Sequence, residues 1–409
     1  MSPQERRLIL VLATIQFCHI VDFMIIMPLG KTLIDAFDIS PWQFNLLVAV
    51  YALSAFVSGL IAALFIDKFG RRQALVVLFA GFTLGTVACG LAPTYSTLVA
   101  ARGLTGLFGG ILSALVLAIV GDVFPIKRRG TAMGWVMTAF SAASVVGVPS
   151  GIALAALGGW RMPFYIIGGL SVLVLLGIPQ LVPKLQGHLT KSVDPNIVPN
   201  PEGARATKTN LFAPFISVLT SRNQRAVLLF SITLMLGHFT VIPNLATYME
   251  VNVGFTVGQL SYLYGVGGLL TVVLLPTFGK LADRYGNLRI FTYATIGAVF
   301  SIFTITNLPQ VGIPLALVAS SSYFVVASGR NVPANTLITS VVEPQNRGSF
   351  MTIRQSINEA GLFLCSIISG AIIAEAPDGS LMHYEWVGYV AIVMSLVALW
   401  VGGRVKEVA

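Results

Sequence analysis

About twelve runs of roughly twenty apolar residues follow one another along this chain, parted by short charged loops. Only α-helices and closed β-barrels satisfy every backbone N–H and C=O group in hydrocarbon. The alternating ten-residue pattern of a barrel strand is absent. The runs fall at 8–29, 43–66, 73–91, 97–122, 132–158, 162–182, 225–249, 258–281, 288–308, 311–336, 350–375 and 385–402. Composition agrees. The 409 residues are 56% hydrophobic and 10% charged, against roughly 25% charged in a soluble protein. The expected fold is an all-α membrane protein with about twelve transmembrane helices. The first run is too long for a signal-peptide core and reads as a span.

A charged loop, Asp67-Lys68-Phe69-Gly70-Arg71-Arg72, recurs in weakened form as Asp283-Arg284-Tyr285-Gly286-Asn287. Arg129-Gly130 recurs as Arg347-Gly348 at almost the same separation. Two sets of loops at matching places predict two six-helix bundles pointing the same way, related by a pseudo-two-fold along the membrane normal. Parallel repeats of this kind mark one large class of secondary transporters. Pro183, Pro195, Pro199 and Pro201 interrupt a polar stretch between the sixth and seventh runs. The division is thus residues 1–182, one bundle; 183–224, a linker; and 225–409, the second bundle.

The formal net charge of +9 falls in inter-span loops, with no basic face for nucleic acid. Arg6, Arg7, Lys127, Arg128, the linker, Arg289 and Arg404 alternate onto one side. Under the positive-inside rule that side is cytoplasmic, with both termini. Cys18, Cys89 and Cys365 stand singly and read as small apolar fillers. No metal cluster, hydrolase triad or phosphate-binding loop appears, so neither an enzyme nor a nucleotide-driven pump is expected. The expected partners are a small solute, protons and the bilayer, with a proton gradient in place of any cofactor and a monomeric chain.

Ionisable residues inside spans are functional candidates by default. Asp22 lies deep in span 1, with His19 one turn earlier on the same helix face. Arg102 lies at similar depth in span 4, so an ion pair is expected. That pair reads either as a structural lock between two helices or as a carboxylate that exchanges a proton. In the second half, Arg330 and Asn331 lie inside span 10. Glu359 lies inside span 11, with Arg330 or Arg354 as its expected partner, or else facing a wet cavity. His238, Asn244 and Tyr248 are polar positions of span 7 that could face a cavity or serve packing. Gly147, Pro149 and Gly151 predict a bend in span 5.

These motifs together resemble the major facilitator superfamily over essentially the whole chain. The Asp67 loop is similar to that family's signature between spans 2 and 3, with Ala63 where the family has a leading Gly. The Asp283 copy keeps that Gly as Gly279 and has Asn287 for the next basic residue. Arg102-x-x-x-Gly106 resembles the span-4 motif of proton-coupled members. Gly147-x-Pro149-x-Gly151 with Gly159-Trp160-Arg161 resembles the span-5 antiporter motif in the form seen in drug and sugar efflux permeases, and Asp22, with Pro28 after it, resembles the span-1 Asp of twelve-span drug:proton antiporters.

The resemblance implies proton-coupled efflux of a small amphipathic, drug-like or sugar-like solute across a bacterial inner membrane by alternating access. Asp22, Arg102, His19 and Glu359 would couple the proton, and His238, Asn244, Tyr248, Arg330 and Asn331 would line the substrate cavity. Asp67, Gly70, Arg71, Arg72 and Asp122, with Asp283, Arg284 and Gly286, would form a conformational latch. A symporter or lysolipid exporter of the same fold stays open, as does a transport-inactive receptor or scaffold.

Overall fold

The computed structural model describes residues 2–62, 69–183, 221–339, 341 and 347–405. Calls that fall on Asp67 and on most of the linker lie outside these residues. Eleven helices are long and apolar enough to cross a membrane. A twelfth, Arg347–Ile372, fills the eleventh place in chain order. Counted as spans 1 to 12, they are Pro3–Ile25, Pro41–Ala62, Arg71–Leu91, Tyr95–Val123, Thr131–Gly158, Met162–Leu181, Asn223–Val253, Val257–Tyr285, Asn287–Thr306, Ile313–Thr339, Arg347–Ile372 and Tyr384–Gly402. Large apolar side chains such as Leu157, Leu173 and Phe300 stand on the outside, where lipid rather than water must meet them.

Local chemistry sets the ends. The Ser2 side chain caps span 1 and Glu5 returns a bond to the Ser2 amide, a reciprocal cap. Thr94 and Thr97 do the same for span 4. Span 1 stops at Ile25 rather than at residue 29. Pro28 follows and cannot donate to a continuing helix. The chain then makes an eight-residue helix, Gly30–Phe37, before span 2. A two-stranded hairpin, β1 (Ala374–Glu375) and β2 (Leu381–Met382), joins spans 11 and 12. The sequence pattern had shown neither element.

The duplication is visible in which helices touch. In the first half span 4 packs on spans 2 and 3, span 3 on span 6, and span 1 on spans 5 and 6. Each contact recurs six spans later: span 10 on 8 and 9, span 9 on 12, and span 7 on 11 and 12. The halves meet through span 2 on span 11 and span 5 on span 8, two contacts that a two-fold axis exchanges. Two six-helix bundles with this symmetry are the predicted architecture.

Small residues bring the first half together. A side chain on Gly106 would run into the Tyr51 backbone carbonyl, and one on Gly110 into Ala55. Spans 2 and 4 can therefore approach only because these positions carry no Cβ.

Candidate functional site

Where spans 1, 2 and 4 cross, the first half holds a charged centre. Asp22 and Arg102 are both fully buried. Arg102 Nη1 donates to Asp22 Oδ2 at 2.9 Å and to the Asp22 backbone oxygen at 3.2 Å. Thr86 of span 3 donates its hydroxyl to Asp22 Oδ1 at 3.0 Å. The carboxylate thus has a partner on each oxygen, which is how a charge is tolerated away from water. The guanidinium lies over the Tyr51 ring, 4.5 Å from its centre, a cation–π contact. The close approach at Gly106 positions that ring.

His19 joins the same network. Its Nε2 is 2.9 Å from the Tyr51 hydroxyl, and its Nδ1 is 3.5 Å from Ser113 Oγ. Gln16 donates to Ser113 at 2.8 Å. A polar chain therefore runs from the Asp22–Arg102 pair through Tyr51 and His19 to Ser113 and Gln16. Asp22, Arg102 and His19 were picked out in the sequence; Tyr51, Thr86, Ser113 and Gln16 were not.

Glu359 of span 11 reaches the same region from the second half, within electrostatic range of Tyr51. Its expected pairing with Arg330 or Arg354 is not what forms. Gln355, one turn away on the same helix, donates to Glu359 at 2.9 Å. Arg354 bonds Asn335 at 2.6 Å and Ser231 at 3.2 Å, and Arg330 bonds Ser395 at 2.8 Å. The helix turn puts an amide beside the carboxylate and turns Arg354 toward spans 7 and 10, while Arg330, on span 10, reaches span 12.

The other polar positions of the second half sit between helices. His238 Nδ1 is bonded to the Ala327 carbonyl at 2.9 Å, and its own carbonyl accepts from Tyr323 at 2.7 Å. Tyr248 donates to the Leu308 carbonyl at 2.8 Å and stacks on Tyr384. Asn331 reaches the Ala327 carbonyl at 3.5 Å. Asn244 instead lies on the seam between halves. It exchanges amide bonds with Asn45 of span 2, at 3.0 and 3.1 Å, and donates to Ser369 at 2.9 Å.

At the face bearing the termini, Arg71 Nε donates to Asp122 Oδ2 at 2.9 Å. Arg72 reaches the Pro179 carbonyl at 3.1 Å, and Gly70 precedes the helix as its cap residue. In the second copy Arg284 lies over Tyr285, 5.2 Å from the ring centre, Asp283 is exposed, and Gly286 turns the chain at φ 92°. A positive φ of this kind favours glycine. The predicted bend in span 5 is a π-helical turn, Ala143–Gly147, followed by Pro149. Gly147 there lies against Val21 and Phe17 of span 1, and Gly151 against Ile25.

The sequence model of the Major Facilitator Superfamily matches residues 12–321 and 227–407. The chain is 25% identical over 390 residues to the uncharacterized MFS-type transporter YwfA of Bacillus subtilis (strain 168), covering 94% of this chain and 87% of that one. It is 22% identical over 313 residues to Multidrug resistance protein 2 of the same organism, covering 74% of each. A bacterial homolog of the human lysosomal transporter Spinster, solved inward-facing and occupied, superposes with a TM-score of 0.75 at 16% identity, covering 100% of this chain and 99% of that one. Duplicated packing, a buried ion pair and these matches lead to one assignment: the chain belongs to the Major Facilitator Superfamily and is a multi-pass membrane transporter of that family.

Proposed function

We propose that the chain exports a small amphipathic, drug-like or sugar-like solute in exchange for protons. The observation that carries this reading is the Asp22–Arg102 pair, fully buried with a partner on each carboxylate oxygen. In so apolar a setting, one proton on Asp22 cancels the attraction to Arg102 and frees span 4 from span 1. Proton entry from outside would release the pair and permit solute exit. Return of the proton inward would restore it. Tyr51 and His19 extend the network and Glu359 approaches it from span 11, giving the proton a route across the seam. Arg71–Asp122, with Asp67, would latch the cytoplasmic face in one state.

The termini and the 183–224 linker are assigned to the cytoplasm of a bacterial inner membrane by their Lys and Arg content. The bundles are taken as 1–182 and 225–409 in a monomer that needs only the proton gradient. The test is solute uptake into proteoliposomes under an imposed proton gradient of either sign. Export reading predicts uptake when the gradient opposes the solute, and loss of that uptake in Asp22→Asn. Gradient-driven transport at the wild-type level in Asp22→Asn would sink the proposal.

A further inference from the structure

Arg330 is fully buried in span 10, as Arg102 is in span 4. Its surroundings differ. Nη1 donates to Ser395 Oγ at 2.8 Å, while Nε and Nη2 meet no hydrogen-bond partner, as is also true of Arg102; the difference lies in the counter-charge. Among the described residues no carboxylate pairs with it. The ionisable groups near enough to act on it are His238 and the Tyr323 phenol, and the phenol is neutral at ordinary pH. An arginine cannot shed its proton to escape burial, so a full positive charge with two idle donors is held in the second bundle.

The backbone adds to that imbalance. Span 10 is interrupted at this residue: one helix ends at Gly329 and a nine-residue helix, Asn331–Thr339, begins beyond it. The N-terminal end of that helix carries partial positive charge. Pro333, in its first turn, has no N–H to give, and the Arg330 carbonyl accepts from the Ala334 amide at 3.3 Å across the junction. His238 lies within reach of the Arg330 charge. Its Nδ1 must carry a hydrogen, because the Ala327 carbonyl it meets can only accept.

We propose that Arg330 and the interruption of span 10 form a binding site for one small monovalent anion, either a halide or a formate-sized carboxylate. One guanidinium calls for one negative charge. The packing around it is close, which favours a small ion: a side chain on Gly237 would strike Ser395, and one on Gly329 would strike the Phe278 ring. The site lies apart from the Asp22–Arg102 centre and does not depend on which solute the chain carries or in which direction.

The experiment uses the purified full chain in detergent, heated in sodium chloride, sodium formate or sodium gluconate at one ionic strength. Chloride or formate is expected to raise Tm by roughly 2–4 °C over bulky gluconate. Arg330→Met is expected to erase the difference. Equal Tm in all three salts, or the same shift in Arg330→Met, overturns the proposal. Should Arg330→Met not fold, crystals of the wild-type chain soaked in bromide decide the matter. An anomalous peak beside the Arg330 guanidinium supports the site, and its absence there refutes it.

Discussion

The two halves each bury an arginine completely, and they bury it on opposite terms. Arg102 faces a carboxylate on span 1, a threonine on span 3 and an aromatic ring on span 2. Arg330 faces only a serine hydroxyl; each guanidinium leaves Nε and Nη2 without a hydrogen-bond partner, so the difference between them is the counter-charge. The same fold has been copied twice, yet only one copy carries its own counter-charge. A paired charge can be switched by a proton. An unpaired one can only recruit an ion or a solute. Symmetry of the backbone therefore does not imply symmetry of the chemistry.

The largest expected effect breaks that comparison directly. Arg102→Met leaves Asp22 buried without its partner, and removing one member of a buried pair costs about 3–5 kcal/mol. Asp22→Asn combined with Arg102→Met should recover most of the loss, because no charge then remains. Arg330→Met removes a charge that no carboxylate needs, so stability in gluconate should change by about 1 kcal/mol or less, or rise. Thermal unfolding of the four proteins side by side measures this. Equal losses for Arg102→Met and Arg330→Met would mean that the two environments are equivalent after all.

A smaller effect tests why the first centre is so compact. Gly106→Ala places a methyl group against the Tyr51 backbone, and overpacking of this kind costs about 1–3 kcal/mol. Because Tyr51 carries the cation–π contact to Arg102, the substitution should also weaken the gradient-driven transport proposed for this centre. Gly297→Ala, facing only the Val326 side chain, should be milder, since a side chain can yield where a backbone cannot. Unfolding midpoints with a transport assay on both variants separate the two effects; a Gly297→Ala cost matching Gly106→Ala would contradict the assigned asymmetry.

Much of this was legible in the sequence, for identifiable reasons. Apolar runs must be helices in lipid, so the spans were readable, and the repeated charged loops fixed the two-fold. Asp22 and Arg102 were readable because charges at matched depth have few alternatives to each other. Tyr51 and Thr86 were missed because a lone hydroxyl in a span is cheap enough to be ordinary packing. The signal for Tyr51 was its place in mid-span, since tyrosine favours the membrane interfaces, together with glycines on the facing helix. Glu359 was given Arg330, Arg354 or a wet cavity because charge was weighed above helix geometry: Arg354, five residues earlier, does not share its face, whereas Gln355, four earlier, does. Glycine and proline announced the bend in span 5 but not that it would take the form of a π-helical turn. Periodicity cannot report cross-bundle contacts either, so the Asn45–Asn244 bonds had no signal.

Those bonds yield the subtlest prediction, because they join the halves rather than distinguish them. Asn45 and Asn244 are fully buried and exchange two amide hydrogen bonds across the seam. Each bond contributes about 1 kcal/mol net, but an amide left alone in an apolar seam loses its hydration as well. Asn244→Leu therefore leaves the Asn45 oxygen and the Ser369 hydroxyl without their partner, though the Asn45 amide still donates to the Pro41 carbonyl. It should favour separation of the halves at the face remote from the termini, where water can reach the seam. Asn45→Leu should act in the same direction. The double variant leaves no amide stranded, only the Ser369 hydroxyl without its Asn244 donor, and two leucines at one seam favour contact, so it should hold that face shut more firmly than either single variant does. A shift of about 1 kcal/mol is roughly a fivefold change in the ratio of open to closed forms. It is measurable as the rate at which a cysteine placed at Thr247, which abuts Gly30 at the seam, reacts with a membrane-impermeant thiol reagent. Single variants should react faster than wild type and the double variant slower than either single. If the double variant instead reacts as fast as the singles, the amide bonds are what holds the seam, and apolar contact between the bundles adds little.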